Sequence, residues 1–594
     1  MGLKAGIDGL YKKQILKAFA GNGGYGVPAY ALNLLNPTLD TSLTFSRASS
    51  ATMYNSAGTI VYAPMNLLVQ SNIFTSASWN KTNVATPTNG ISDPFGGTAA
   101  WTVTNASGLQ FSRLNQHYNS MVVGAQYTVS SYFKAGTANA ALVYDNGGTG
   151  FVGYVKYTLS GAGSYSTSGA VSSATITSVG SGWYLCSATF VATSSVYFNL
   201  AVWDGSADQG GSYPGSNNGT YFYAYGAWLE ATSYDSPHVY NSTTSTAYQG
   251  ARFDYNPSTL ALNGLLIEQQ STNLNAYSGS FAHWGSVGSP SPTTNNIAPD
   301  GTATAYSWAI GSGTTGYYAS SVTVSPSTTY TISSFVKSFS GTPLIQVGSD
   351  TAVFGGGSNT YTAYSFFNPA TQTFSSSSAG VISTGYEALP NGWYRAWVVA
   401  TTNSSASNIA NIVYCATAGN PVVGGWGGQV EAGTFPTSYI PTIASTVTRA
   451  VDSLTNTNPS FFNSTQGTMF GEFILEGIPT GDTAIAGAST HPTLALGATY
   501  IKGSYPGIVD AVNYSITLAT NTVYQAGFSF ISGAYAVTVN GNAPATGTNA
   551  QAVSAPSILN FGVEAVYLNG WLRNFSYYPT ALTNAQLQTI SGQL

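Results

Sequence analysis

A module of about 180 residues occurs twice in this chain, and that repetition constrains the fold more than any other feature of the sequence. The first copy runs 66–240 and the second 273–450. Asn66-Leu67 with Trp79 corresponds to Asn273-Leu274 with Trp284, and Gly97-Thr98-Ala99 to Gly301-Thr302-Ala303. Tyr127-Thr-Val-Ser-Ser-Tyr-Phe-Lys134 matches Tyr330-Thr-Ile-Ser-Ser-Phe-Val-Lys337, and Gly182-Trp183-Tyr184 matches Gly392-Trp393-Tyr394. The last block, Tyr225 to Ala231, matches Trp426 to Ala432 and carries Glu230 where the other carries Glu431. Around the copies the chain divides into an N-terminal segment 1–36, a hairpin connector 37–65, a linker 241–272 and a C-terminal domain 451–594.

The matching blocks say how the module is built. Tyr127, Val129, Ser131 and Phe133 fall on one face of a strand, as do Tyr330, Ile332, Ser334 and Val336. A strand with one apolar face belongs to an antiparallel sheet packed on one side. Many such short segments, parted by Gly, Ser and Asn turns, predict a two-sheet sandwich or jelly roll. Composition agrees: 6% of residues are charged and 13% aromatic, with 67 Gly to supply turns. Aromatic content of that order also excludes a disordered chain. The fold class is therefore read as all-β, with tandem antiparallel β-sandwich (jelly-roll) modules, a short N-terminal helix and a C-terminal lectin-like sandwich. Alternation on both sides of the turn at Asn55 to Gly58 predicts a hairpin within 43–64. Trp183 and Trp393 read as rings that plug the cores. Thr583-Asn-Ala-Gln586 has capping-box spacing and opens a short final helix.

A net charge of −5 argues against a nucleic-acid binder. The cations are uneven, however, with Lys4, Lys12, Lys13 and Lys17 among the first 17 positions. Between Lys4 and Phe19, Ile7, Leu10, Tyr11 and Leu16 recur near helical spacing with lysines interleaved, which predicts a docking helix. No apolar run is long enough to span a membrane, and no uninterrupted apolar stretch of the secretory kind follows the lysines. Cys186 and Cys415 fall in different copies and read as buried hydrophobes rather than a disulfide or metal pair. No cofactor motif is present, and whether a metal ion steadies the sandwiches is left open.

Active chemistry is poorly represented. Glycoside hydrolysis needs two carboxylates flanking one bond. Glu230 and Glu431 recur, but each copy repeats only that one acid, so a strand-end carboxylate accepting hydrogen bonds is the plainer role. His117, His238, His283 and His491 do not correspond between copies and lack ligand spacing. The expectation is therefore not an enzyme. Sugar binding asks less: an aromatic ring to stack on a pyranose and polar groups for its hydroxyls. Trp203-Asp204 in the first copy and Asn569-Gly-Trp571 in the C-terminal domain are the candidate glycan sites.

The strings FSRASSAT (45–52), ARFDYNP with GLLIEQQSTNL (251–274), and GWYR, QVEAGTFPTSYIPT and TRA (392–450) resemble bacteriophage tail-fibre, tail-spike and head-fibre proteins. Gly570-Trp-Leu-Arg-Asn-Phe-Ser-Tyr-Tyr578 and the helix after it resemble the close of a laminin-G or concanavalin-like domain. Together these cover 43–594. The resemblance implies carbohydrate-binding-module-like jelly rolls strung along a virion appendage. It also implies a homotrimer, host surface polysaccharide as ligand, and docking to other virion proteins through Lys4, Ile7, Leu10, Lys12, Lys13, Leu16 and Phe19. No membrane insertion is expected. A polysaccharide depolymerase and a passive head decoration are the alternatives. The first copy departs from the pattern at Tyr234-Asp-Ser-Pro-His238, where the second has Phe435-Pro-Thr-Ser-Tyr439.

Overall fold

The structure is a computed structural model that describes residues 26–592, apart from 119–120, 122, 146–150, 194–195, 232–238, 245–246, 288–291, 310–316, 351–361, 416–420, 489–490, 505–510, 549–553 and 565. The chain divides into two compact units, one of residues 62–250 and one of the residues on either side of it. The first copy is thus an insertion. Its two ends are clasped where Tyr248-Gln249 pairs with Met65-Asn66 and the Gly250 N–H donates to the Pro64 carbonyl at 2.7 Å.

Each copy is a sandwich of two six-stranded antiparallel sheets with the same strand order. In the first copy one sheet runs Val171–Gly180, Trp183–Val191, Gln126–Ala135, Tyr221–Glu230, Ala100–Thr104, Thr88–Ile91. The other runs Ser164–Gly169, Phe151–Thr158, Asn139–Asp145, Val196–Trp203, Arg113–Tyr118, Asn80–Thr82. Tyr127, Val129 and Phe133 point between the sheets into a core with Leu142, Tyr157, Phe190 and Leu200.

The duplicated blocks have local causes. Asn66 donates through Nδ2 to the carbonyls of Ala227 and Val239, and Asn273 repeats this with Gly428 and Ile440. Gly226 and Gly427 sit in β-bulges at φ 66° and 65°, a conformation that suits glycine. At Gly226 a Cβ would also meet the Trp228 ring at 2.3 Å. The turn hydrogen bonds shift one correspondence by a residue, since the N–H groups of Gly96 and Gly301 both close the turn, onto Asp93 and Ala298.

One expectation fails. The strand Gln126–Ala135 is not packed on one side only: Thr128, Ser130 and Tyr132 on its other face are buried as well. The cause is a second aromatic layer, Tyr132, Trp183 and Trp228, with Tyr225 against it. In the second copy the equivalent face, Phe335, Trp393 and Trp426, is covered by Ile60 and Tyr54 from the 52–62 hairpin. Trp183 and Trp393 are accordingly buried, 1% and 2% exposed. Both cysteines are buried free thiols.

The C-terminal sandwich recruits strands from distant sequence. Its larger sheet runs Arg252–Tyr255, Leu262–Ile267, Gly570–Tyr578, Gln466–Leu475, Val523–Ile531, Ala534–Val539, Ala545–Gly547, with Tyr30–Asn33 also paired to Gly570–Tyr578. Its second sheet begins with Thr44–Ser46 beside Ser453–Asn456. Leu32 and Leu34, within 1–36, belong to its core. The closing helix Asn584–Ile590 has the capping box at Thr583 and Gln586, and buries Leu587 and Ile590 against Phe470 and Tyr578.

Candidate functional site

Trp203 and Asp204 lie where the strand Val196–Trp203 ends on the outer face of the first copy's second sheet. The floor there is Ala141, Val143 and Ala201, all buried, with Tyr154, Trp203 and Tyr213 packed against it, each partly exposed. Strand register explains the composition: Arg113, Ala201, Ala141 and Lys156 form one row across four adjacent strands, and Asn115, Asn199, Val143 and Tyr154 the next. Lys156 Nζ lies 4.9 Å from the Tyr154 ring centroid and 5.5 Å from that of Trp203. The Arg113 guanidinium sits 4.3 Å over Phe111, whose ring stacks on Tyr213 at 4.5 Å.

Asp204 organises the loop that follows. Its Oδ1 accepts from Ser206 N at 3.1 Å, and its Oδ2 accepts from Asn217 N at 2.7 Å and Asn217 Nδ2 at 2.8 Å. Burial raises this carboxyl's pKa, but the hydrogen bonds from Asn217 and Ser206 outweigh it and the net shift is downward. Its carboxylate is therefore spent on the loop. Trp203 Nε1 and Asn115 Oδ1 are buried and have no hydrogen-bond partner among the described residues. Sequence reasoning missed Tyr154, Lys156 and Asn115. Alternation in Phe151–Thr158 puts Tyr154 and Lys156 on one face, but only the register brings them to Trp203.

The other candidate pair is placed differently. Trp571 is 5% exposed, packed with Leu266 and Ile474, and its indole N–H donates to Asp254 Oδ2 at 2.8 Å. Asn569 is 4% exposed at φ 48°, where its Oδ1 accepts from Gln269 N at 2.9 Å. Neither offers an open face to a sugar, because the strand Leu262–Ile267 pairs over this end of Gly570–Tyr578. The docking residues Lys4, Ile7, Leu10, Lys12, Lys13, Leu16 and Phe19 lie outside the described residues, as does His238.

The strings quoted for the family resemblance converge instead on a buried charge cluster. Arg252 pairs with Glu268 and Asp452, and Arg47 Nη1 reaches Asp452 Oδ1 at 3.0 Å, with all four side chains fully buried. Arg449 approaches Glu268 at 3.6 Å. Glu268 also accepts from Ser438 N and Oγ at 2.8 and 2.7 Å. Burial pushes the Glu268 pKa up, but Arg449 and Arg252 overcome it and hold the carboxyl at about 2. Burial lowers Arg47 to about 10 despite Asp452. Glu431, also fully buried, accepts from Ser271, Gln429 and Thr437, which is the structural role read for it.

Beside the cluster lies a cavity of about 20 Å³ lined by Tyr54, Asp254, Glu387, Arg395, Glu476 and Trp571, among others. That is room for one water molecule and far below a sugar ring. Burial raises Asp254 to about 7, and raises Glu387 and Glu476 as well. Glu476 Oε2 and Arg395 Nε have no partner among the described residues. Because the folded chain holds these protons more tightly than the unfolded one, stability from the three groups is greatest below about pH 4 and falls as pH rises through 7. The Glu476→Gln variant is expected to melt with wild type at about pH 3.5 and to be more stable by about 1–3 kcal/mol at pH 9. Thermal unfolding at both pH values checks this, and identical curves at pH 9 would count against a buried proton there.

No protein-family model matches the sequence, and no curated protein matches it. Similar solved structures include domain 4 of a GH43 extracellular arabinanase from Geobacillus stearothermophilus in complex with arabinotriose, with 18% identity over 27% of this chain and 82% of that one, TM-score 0.21. A tandem CBM22 domain from Paenibacillus barcinonensis shows 10% identity over 65% and 100%, TM-score 0.21. Domains LG4-5 of the mouse laminin alpha1 chain show 9% over 44% and 84%, TM-score 0.16. At these scores none of them carries an argument, and the architecture rests on the sheet order described above.

Proposed function

We propose that this chain is a non-catalytic glycan-binding protein of a bacteriophage virion appendage, with the outer face around Trp203 as its saccharide contact. The observation that carries the binding reading is the Trp203 indole. It is partly exposed, and it stands beside Tyr154 and Lys156 on the outer face of the sheet. Stacking rings with nearby donors and acceptors are what a pyranose needs. The virion reading rests on the strings at 45–52, 251–274 and 392–450. Docking through Lys4 to Phe19, a homotrimer and a host surface polysaccharide as ligand belong to the same reading. The acids do not favour a depolymerase: Glu230 and Glu431 are fully buried, and the Asp254, Glu387 and Glu476 carboxyls line a cavity too small for a sugar.

Glycan-array binding of the full chain, compared with Trp203→Ala, tests the site. Loss of one stacking ring is expected to weaken binding about 10- to 100-fold, measured at a temperature where circular dichroism shows the variant folded. Equal binding by the two proteins would move the site elsewhere. Release of oligosaccharides from host polysaccharide would replace the non-catalytic reading with the depolymerase one.

A further inference from the structure

The duplication supplies an internal control for the Trp203 face. Strand register aligns its outer rows residue by residue with those of the second copy. The row Arg113, Ala201, Ala141, Lys156 corresponds to Tyr317, Tyr414, Gln346, Phe366. The next row, Asn115, Asn199, Val143, Tyr154, corresponds to Ala319, Ile412, Gly348, Tyr364. Only Tyr154 and Tyr364 agree. Both cations and both amides of the first copy are aromatic or aliphatic in the second, although the strands beneath have the same order. The sandwich therefore does not need Arg113, Lys156 or Asn115 in order to form.

The cations on this face are not matched by an ion pair at Lys156. Lys156 makes no ion pair among the described residues, and its ammonium is held by the rings of Tyr154 and Trp203. The carboxylate that follows Trp203 in the chain, Asp204, has both oxygens committed to Ser206 and Asn217. A cation set over two rings keeps its ammonium hydrogens available to an anion that approaches from solvent.

We infer that this face takes a saccharide bearing a carboxylate, with the sugar against Trp203 and its carboxylate on Lys156, on the side toward Arg113. A neutral sugar would use the ring and leave the Lys156 ammonium without an anion. A carboxylate on Lys156 adds a charge-assisted hydrogen bond, the stronger kind. The second copy, with Phe366 and Tyr317 at the cation positions, would not share the preference. The inference rests on the glycan-binding reading of Trp203 and adds the class of ligand to it.

The test uses the full chain and calorimetry with a uronate-containing oligosaccharide and its carboxyl-reduced, neutral counterpart, at low and high salt. Wild type is expected to bind the acidic form about tenfold more tightly, with the difference shrinking in salt. Lys156→Met keeps the stem over the rings and is expected to abolish the difference between the two sugars. Lys156→Phe, which installs the residue of the second copy, is expected to do the same and controls for folding. Equal wild-type affinity for both sugars, lost in Trp203→Ala, would overturn the carboxylate preference and leave the glycan site standing. An acidic preference that survives Lys156→Met would overturn the assignment to Lys156. Binding of neither sugar would overturn the ligand class.

Discussion

Replacing Arg252 with Met is expected to cost the outer unit, the residues that flank 62–250 in sequence, about 3–5 kcal/mol, a large fraction of a typical domain's stability. Arg252 is the hub of the buried cluster: it answers both Glu268 and Asp452 and donates to the Thr52 carbonyl and Ser438 Oγ at 3.2 and 2.8 Å. Methionine fills much of the volume but strands two carboxylates away from water, and the cost comes from that uncompensated charge rather than from a lost attraction. Arg47 and Arg449 remain nearby and limit the damage without replacing the geometry. Urea unfolding followed by two probes separates the units, because residues 62–250 form their own core. The transition of the inserted unit should not move. A loss below about 1 kcal/mol in the other transition would mean that the cluster contributes little.

Excising the inserted copy is the second large effect, and there the expected result is survival. A chain in which Pro64 is joined to Gly250 directly should retain the outer unit with nearly unchanged melting. The argument is one of ends: Pro64 and Gly250 are already hydrogen-bonded at 2.7 Å, so closing the gap needs no stretch of chain. The cluster, the 52–62 hairpin on the second copy and both sheets of the C-terminal sandwich draw only on residues outside the insertion. Glycan binding at Trp203 should vanish with the excision. Circular dichroism and thermal melting of the shortened chain check the first part. Aggregation on expression or a melting point lowered by more than about 8 °C would show that the insertion supports its host.

The two sandwiches were legible in the sequence because their matching blocks are strands, bulges and clasps, all short-range features. Asn66 and Gly226 leave marks that repeat. Legibility ended where a side chain's surroundings come from far away. Trp571 reads as an exposed ring in an Asn-Gly-Trp turn, and only Asp254, more than 300 residues earlier, shows that its indole is committed. Tyr132 alternates with core residues and so reads as outward-facing, yet Trp228 and Phe95 cover it. The conspicuous strings at 45–52 and 251–274 had no role until Arg47, Arg252 and Glu268 met Asp452 in space. Lys156 was hidden for a related reason, since its neighbour Trp203 lies two strands away across the sheet.

The pairing of Tyr30–Asn33 with Gly570–Tyr578 sets an order of events on the ribosome. Chains grow from the N-terminus, so this strand has no partner until residues 570–578 have emerged, more than 500 positions later. The inserted copy, with every strand of its two sheets inside 62–250, can close on itself hundreds of residues sooner. Thr44–Ser46 and the arginine behind it wait for Ser453–Asn456 and Asp452. During that interval the nascent chain carries a finished sandwich beside unpaired strand edges, the situation in which neighbouring chains can exchange strands or aggregate. Slow completion, governed by closing a loop that spans most of the chain, is built into the connectivity itself.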